Sequence, residues 1–216
     1  FGCFKRKLTS EIKVAQLAGY ISEHSAYHHG EMSLKGAIIG MAQEFVGSNN
    51  IALLEPRGQF GSRLQGGNDA ASDRYIFTQL NMLSSYIYSN DDSPILNYLD
   101  DDGTSVEPEY YLPIIPMVLV NGGKGIGTGF SYEGLPYHPM NVIKALKSKI
   151  EQPELAAPDA GLPYYEGFKG TIQDINHSKF LIKGTYEVIS DDTVRITELP
   201  VGTWTDTYKV FLETLM

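Results

Sequence analysis

Leu34-Lys-Gly-Ala-Ile-Ile-Gly-Met-Ala-Gln-Glu-Phe45 is the stretch from which the fold can be read. Its apolar side chains, Leu34, Ala37, Ile38, Met41, Ala42 and Phe45, recur with the period of one helix face. Gly47-Ser-Asn-Asn50 breaks the pattern and predicts the helix end. Upstream, Ile12, Ala15, Leu17, Ala18 and Ile21 predict a helix over 9–24, with Ser10 and Glu11 as starters. The polar turn Ser25-Ala-Tyr-His-His-Gly-Glu31 joins the two. Downstream, Ile51 to Leu54 predicts a short strand, and a further helix is expected from about Ser72 to Tyr88.

Between that strand and that helix runs Arg57-Gly-Gln-Phe-Gly-Ser-Arg-Leu-Gln-Gly-Gly-Asn-Asp-Ala-Ala-Ser-Asp-Arg-Tyr75. It is a Gly-rich basic loop, with Arg57, Arg63 and Arg74 along it. Helix, turn, helix, strand and basic loop is the order of a winged-helix module, in which the second helix faces DNA. The loop ends in Arg74-Tyr75, a hydroxyl beside a fixed positive charge. A phenol is a weak nucleophile at neutral pH and needs a neighbouring cation or base to attack a phosphate. Arg74 could supply the cation, and His28 or His29 the base. The histidines could equally be surface or helix-capping residues, and Tyr75, one of 14 tyrosines, could be a core aromatic.

The second half has a different period. Asn90 to Glu109 is acidic and contains Pro94, Gly103 and Pro108, so a surface loop is expected. Tyr110 to Val120 is apolar with β-branched residues, and its run from Ile114 to Val120, interrupted by Pro116, is expected as a buried strand or turn. Pro136 and Pro139 suggest a boundary, followed by a helix from Asn141 to Ile150 and a Pro-rich linker through Pro163. Phe180-Leu-Ile and Tyr186 with Val188, facing Val194 and Ile196 across Ser190-Asp-Asp-Thr193, predict a β-hairpin within a β-rich domain over 165–200. The fold class expected is α+β.

Composition narrows the function classes. A chain of 216 residues, 42% hydrophobic with a net charge of −9, is an ordinary globular chain rather than a uniformly basic nucleic-acid binder. Local basic stretches, Lys5-Arg-Lys7 with Lys13 and the loop arginines, could still meet phosphate. No apolar run approaches the roughly 20 residues that span a membrane. Cys3, the single cysteine, rules out an intrachain disulfide. Spaced zinc-ligand patterns are absent. Gly122-Gly-Lys-Gly-Ile-Gly-Thr-Gly129 fails both nucleotide signatures: Lys124 is followed by Gly125 rather than Ser or Thr, and the glycines alternate. Ile126 at its centre is either packed inward on a tight turn or an exposed apolar tip able to wedge between bases. Phe1 and the apolar stretch ending at Met216 suggest a piece of a longer polypeptide.

Several runs together resemble eukaryotic-type DNA topoisomerase II. They are Gln16-Leu-Ala-Gly-Tyr-Ile-Ser-Glu-His-Ser-Ala-Tyr-His-His-Gly-Glu31, Ala42-Gln-Glu-Phe-Val-Gly-Ser-Asn-Asn50, Gly58-Gln-Phe-Gly-Ser-Arg63, Arg74-Tyr-Ile-Phe-Thr78, Leu112-Pro-Ile-Ile-Pro-Met-Val-Leu-Val-Asn121, Gly125-Ile-Gly-Thr-Gly129 and Glu198-Leu-Pro-Val-Gly-Thr-Trp-Thr205. The likeness covers the whole chain in order. It implies a winged-helix breakage–reunion domain over residues 1–133, followed by the start of a β-rich tower domain over 134–216. It implies that Tyr75 is the catalytic tyrosine, which forms a 5′-phosphotyrosyl link, and that Arg74, His28 and His29 support it. Ile126 is then the wedge that bends DNA, and Met32 and Ser33 open the helix lying against DNA. Gln59, Arg63 and Lys13 join the expected DNA contacts.

The same resemblance implies transient double-strand cleavage and ATP-dependent strand passage by a homodimer acting on double-stranded DNA. It places Mg²⁺ on a TOPRIM domain and ATP on an ATPase domain, both outside this chain, so this stretch alone is expected to be inactive. The nucleus is the implied location, or a host cytoplasm for a viral enzyme. Two residues depart from the pattern. Asn68 stands where a lysine is common, and Asp73 replaces a small residue or proline, setting a negative charge beside Arg74. The competing expectation is a catalytically silent winged-helix DNA-binding or scaffold module.

Overall fold

The computed structural model describes residues 1–154, 159–176 and 179–215. Helices and small antiparallel sheets alternate along the chain, and the class is α+β. Two compact units form. One holds Phe1–Glu44, Ala52–Gly61 and Asp69–Ile114; the other holds Phe45–Ile51, Ser62–Asn68 and the chain from Ile115 onward. Pro136 and Pro139, which mark the expected boundary, lie within the second unit.

In the first unit, α1 (Gly2–Lys5) leads to β1 (Ile12–Lys13), α2 (Val14–His24) and α3 (Glu31–Ala42). Helix α2 starts at Val14, not at residue 9, because Ile12 and Lys13 pair as a strand with Thr78 and Phe77. Val14, Leu17 and Ala18 are buried at helical spacing and pack with Leu34, Ile38 and Ala42 of α3. The buried stripe of α3 is narrower than its sequence suggests: Ala37 and Met41 line an open, largely apolar cavity of about 710 Å³. Helix α3 also stops at Ala42, before Phe45. Gln43 turns extended, and its side chain donates to the carbonyl of Phe60 at 2.8 Å.

The strand after α3 is β2 (Leu54–Arg57), and β3 (Phe77–Leu80) lies between it and β1. The helix expected over 72–88 is therefore a strand and then a shorter helix. Ile76 and Thr78 are buried in alternation, which is the period of a strand. Thr78 also donates to the carbonyl of Glu55 at 2.8 Å. Asn81 then accepts from the amide of Leu83 at 2.9 Å and starts α4 (Met82–Ile87). The acidic loop is partly ordered as a hairpin of β4 (Tyr98–Asp101) and β5 (Thr104–Pro108), preceded by a 3₁₀ turn over Asn90–Ile95.

The stretch Ile114–Val120 supplies no strand; it ends in α5 (Met117–Val120), in the second unit. Val120 and Ile115 pack with Val142 of α6 (Pro139–Glu151), whose range matches the expected helix within two residues. The Asn121 side chain donates to the carbonyl of Ile51 and accepts from its amide, both at 2.9 Å. The glycine run forms the hairpin β6 (Gly123–Gly127) and β7 (Phe130–Gly134), closed by Thr128 and Gly129, whose φ of 77° suits glycine.

Two more hairpins follow, β8 (Thr171–Asp174) with β9 (Phe180–Lys183) and β10 (Thr185–Ser190) with β11 (Thr193–Glu198). Tyr186 faces Ile196 and Val188 faces Val194, as read from the sequence, whereas Phe180, Leu181 and Ile182 pair with Asp174, Gln173 and Ile172 of β8 rather than facing Val194 and Ile196. Helix α7 (Thr205–Glu213) follows Trp204. The indole packs so closely on Gly66, at φ 62°, that a Cβ there would collide with it. The expected Pro-rich linker falls partly on residues 155–158, outside the described residues.

Candidate active site

Tyr75 sits on a short turn held from both sides. Its amide donates to the carbonyl of Ser72 at 2.9 Å. The carbonyl of Asp73 accepts from the amide of Ala15 at 3.2 Å, and that of Ile76 accepts from the amide of Val14 at 3.1 Å. Val14 and Ala15 open α2, whose first N–H groups have no partner inside the helix and receive no side-chain cap. The Tyr75 turn is thus the cap of α2. Side chains obey a sharp divide: Ile76 is 1% exposed and anchors the core, whereas Tyr75 is 72% exposed. A fixed backbone carrying a solvent-facing phenol suits a nucleophile better than a core aromatic.

The loop arginines differ in what they meet. Arg57 is ion-paired with Glu55 at 2.7 Å and Glu11 at 3.5 Å. Arg63 is ion-paired with Glu198, which is 7% exposed, and donates to the carbonyl of Leu199 at 2.6 Å. The other carboxylate oxygen of Glu198 accepts from the amide of Lys169 at 3.0 Å. Arg74 alone of the three has no carboxylate partner among the described residues. Its Nε donates to Ser72 Oγ at 3.3 Å, and its guanidinium lies 5.8 Å from the Tyr75 ring centre. A guanidinium free of carboxylates beside an exposed phenol leaves a place for an outside anion.

Asp73 has a partner that sequence reasoning missed. Lys35 of α3 reaches Asp73 at 2.9 Å and Glu31, one turn back on its own helix, at 2.7 Å. Lysine hydrogen bonding holds the Asp73 carboxyl below the usual carboxylate range, while Glu31 and then Asp73 raise the Lys35 ammonium. The i, i+4 spacing of Glu31 and Lys35 is visible in the sequence; the contact with Asp73 is not.

The remaining expected residues distribute as follows. Lys13 is exposed, lies opposite Phe77 in the sheet and has its ammonium 5.8 Å from that ring. Met32 and Ser33 are exposed in the first turn of α3. The carbonyl of Gln59 accepts from the amide of Ala71 at 2.9 Å, and its side chain donates to Asp69 at 3.3 Å, closing the loop stretch that precedes Asp73. His28 and His29 are exposed on the turn before α3. His28 meets Asp101 at 3.4 Å, and the His29 ring lies 5.4 Å from Tyr27. No hydrogen bond joins either imidazole to the Tyr75 hydroxyl among the described residues. Ile126, in the second unit, is 89% exposed on β6, so the inward-packed alternative is overturned. Among the described residues no group of three or more His, Cys, Asp or Glu side chains is placed to hold a metal ion. No described helix is long and apolar enough to cross a membrane.

Comparison with known proteins shows the family. The DNA gyrase/topoisomerase IV A-subunit family model matches residues 1–216. DNA topoisomerase 2 of Pisum sativum is 51% identical over the whole chain, which covers 15% of that relative. DNA topoisomerase 2 of Saccharomyces cerevisiae is 50% identical over 98% of the chain, again 15% of the relative. The crystal structure of the Plasmodium falciparum topoisomerase II DNA-binding, cleavage and re-ligation domain superposes with a TM-score of 0.94 at 51% identity, covering all of this chain and 29% of that one. The chain spans about 15% of the length of these curated relatives, and it belongs to the DNA gyrase/topoisomerase IV A-subunit family.

Proposed function

We propose that this chain carries the DNA-cleaving tyrosine of a type II topoisomerase, with Tyr75 as nucleophile and Arg74 as its phosphate-holding partner. The observation that carries the reading is the exposed Tyr75 phenol beside the carboxylate-free Arg74, on a turn fastened to α2. The Tyr75 oxygen attacks a backbone phosphorus as its proton passes to a base, the bond from phosphorus to the 3′ oxygen of the neighbouring nucleotide breaks, and that oxygen takes a proton from solvent to leave as a hydroxyl. The 5′-phosphotyrosyl bond conserves the phosphodiester's energy, so the reverse attack reseals the strand. Arg74 stabilises the charge that gathers on the phosphate oxygens. His28 and His29 are proposed as protonic support that reaches the site with DNA bound, since their present contacts lie elsewhere.

The DNA-facing set in this reading is Lys13, Met32, Ser33, Gln59 and Ile126, the last as a wedge on its hairpin. Arg63 belongs to it through the loop it holds: its guanidinium is tied to Glu198 and Leu199, and it fixes the path of residues 62–68. Residues 1–133 are proposed as the winged-helix domain, resting on α2, α3 and the β1–β3–β2 sheet, and 134–216 as the start of the tower domain, resting on its successive hairpins. Double-strand cleavage by a homodimer, ATP-driven strand passage and a nuclear location extend the reading to the whole protein. Mg²⁺, which would stabilise phosphoryl transfer, is proposed to be held by another segment of the whole protein. On its own the chain is proposed to be inactive.

The test is to trap the covalent complex of the full-length protein with DNA radiolabelled at its backbone phosphates, digest it with nuclease and protease, and map the labelled peptide. Label on Tyr75 is the expected result. Label on another residue, or a 3′ linkage, would overturn the assignment.

A further inference from the structure

From the contact between α3 and the Tyr75 turn we infer that Lys35 is a positioning residue for cleavage: it pins and neutralises Asp73, so that Arg74 and Tyr75 are presented to phosphate without a competing negative charge. The inference rests on the reading of Tyr75 as nucleophile.

Asp73 precedes the Arg74–Tyr75 pair directly. An unpaired carboxylate there would compete with DNA phosphate for the Arg74 guanidinium and repel the phosphate itself. The structure removes that competition. The Asp73 carboxylate is taken by the Lys35 ammonium at 2.9 Å rather than by Arg74. Lys35 is itself only 16% exposed and is held by Glu31 at 2.7 Å, so its position is fixed by the helix it belongs to. The backbone carbonyl of Asp73 is simultaneously bound by the amide of Ala15. One residue is thus fastened to α2 by its main chain and to α3 by its side chain, and the next two are the reactive pair. Arg74 is left with no carboxylate among the described residues, which is the state a phosphate-binding guanidinium needs.

The same geometry explains how an aspartate is tolerated beside the reactive pair. Lys35 and Asp73 are coupled: an acid at 73 requires a cation at 35, and without the acid the cation is dispensable for cleavage. A lysine that instead touched DNA phosphate directly would be needed whatever stood at 73. These two roles give opposite results in a double-mutant cycle.

The experiment uses the full-length protein with supercoiled plasmid and Mg²⁺. It measures covalent cleavage complex at saturating DNA, DNA affinity and its salt slope, and the melting temperature. Lys35→Met is expected to lower cleavage about tenfold, the scale of a small misplacement of reacting groups, with DNA affinity changed less than threefold. Lys35→Arg should retain most activity, and Lys35→Met with Asp73→Ala should recover to within about threefold of the parent. The exchange Lys35→Asp with Asp73→Lys supplies a second, charge-conserving test, expected to exceed either single change. Tyr75→Phe is run alongside. If Tyr75→Phe abolishes cleavage while Lys35→Met stays within about twofold of the parent, the inference fails and the nucleophile stands. Failure also follows if the loss in Lys35→Met persists in the double variant with a weakened salt slope, which would make Lys35 a direct phosphate contact. Normal cleavage by Tyr75→Phe would overturn the underlying reading instead.

Discussion

The amide of Val14 donates to the carbonyl of Ile76 at 3.1 Å, and this bond fastens the residue after Tyr75 to the first turn of α2. Ile76 is 1% exposed, so side chain and main chain anchor the same point. Truncating it leaves a cavity beneath the Tyr75 turn. Ile76→Ala is expected to lower stability by about 2–5 kcal/mol, the range for such core deletions, measured by denaturant unfolding. Cleavage should fall further than the unfolded fraction accounts for, because the turn loses its anchor. Unchanged stability would contradict the burial of this side chain.

Ile126 is the opposite case. It is 89% exposed and packs against nothing that its loss would unfill. Ile126→Ala should leave the melting temperature within a degree or two, since a solvent-facing change of this kind is worth less than about 0.5 kcal/mol. DNA bending, followed by energy transfer between labelled duplex ends, should decrease. Full bending in the variant would show that the exposed tip is not a wedge.

Arg63 answers for stability more than for charge at the surface. Its removal would strand the buried Glu198 carboxylate, which among the described residues would keep the Lys169 amide as its one other partner. Arg63→Ala is expected to cost about 3 kcal/mol, the low end for breaking a buried pair from one side. Arg63→Ala with Glu198→Gln should recover part of that loss. The check is a denaturation series on the four proteins, and equal stability of parent and Arg63→Ala would contradict the account.

The Lys35–Asp73 pair sets a pH signature. Asp73 is held below the usual carboxylate range, so its contribution is present above about pH 3.9 and is lost as pH falls through the lowered value. Lys35 is raised, so its contribution is present below about pH 10.4 and is lost as pH rises through the raised value. The melting-temperature difference between parent and Asp73→Asn should therefore be flat from mildly acidic to mildly alkaline pH and narrow in strong acid. A difference that grows on acidification would reverse the sign and contradict the pairing.

Much of this is legible in the residues, and the omissions have physical causes. The α3 stripe at Leu34, Ile38 and Ala42 and the Tyr186–Ile196 register follow from periodicity, because burial repeats where the backbone does. The segment after Tyr75 reads as helix in the sequence but is a strand. Ile76 and Thr78 alternate over too few residues to outweigh the helical pattern beyond Asn81. Ile126 has no placement in the sequence, since an exposed and a buried isoleucine look alike there. Arg63 looks like its neighbours Arg57 and Arg74 because the partner that distinguishes it, Glu198, is 135 residues away. Long-range pairs of this kind, and the α2 cap formed by the Tyr75 turn, have no local signature.

The central claim is that Tyr75 is the nucleophile, and one substitution tests it. Tyr75→Phe in the full-length protein removes one hydroxyl from a side chain that is 72% exposed. The expected result is parental DNA affinity and melting temperature, with no covalent protein–DNA complex above background in supercoiled plasmid and Mg²⁺. Covalent complex formed at the parental rate would contradict the account and move the chemistry to another residue.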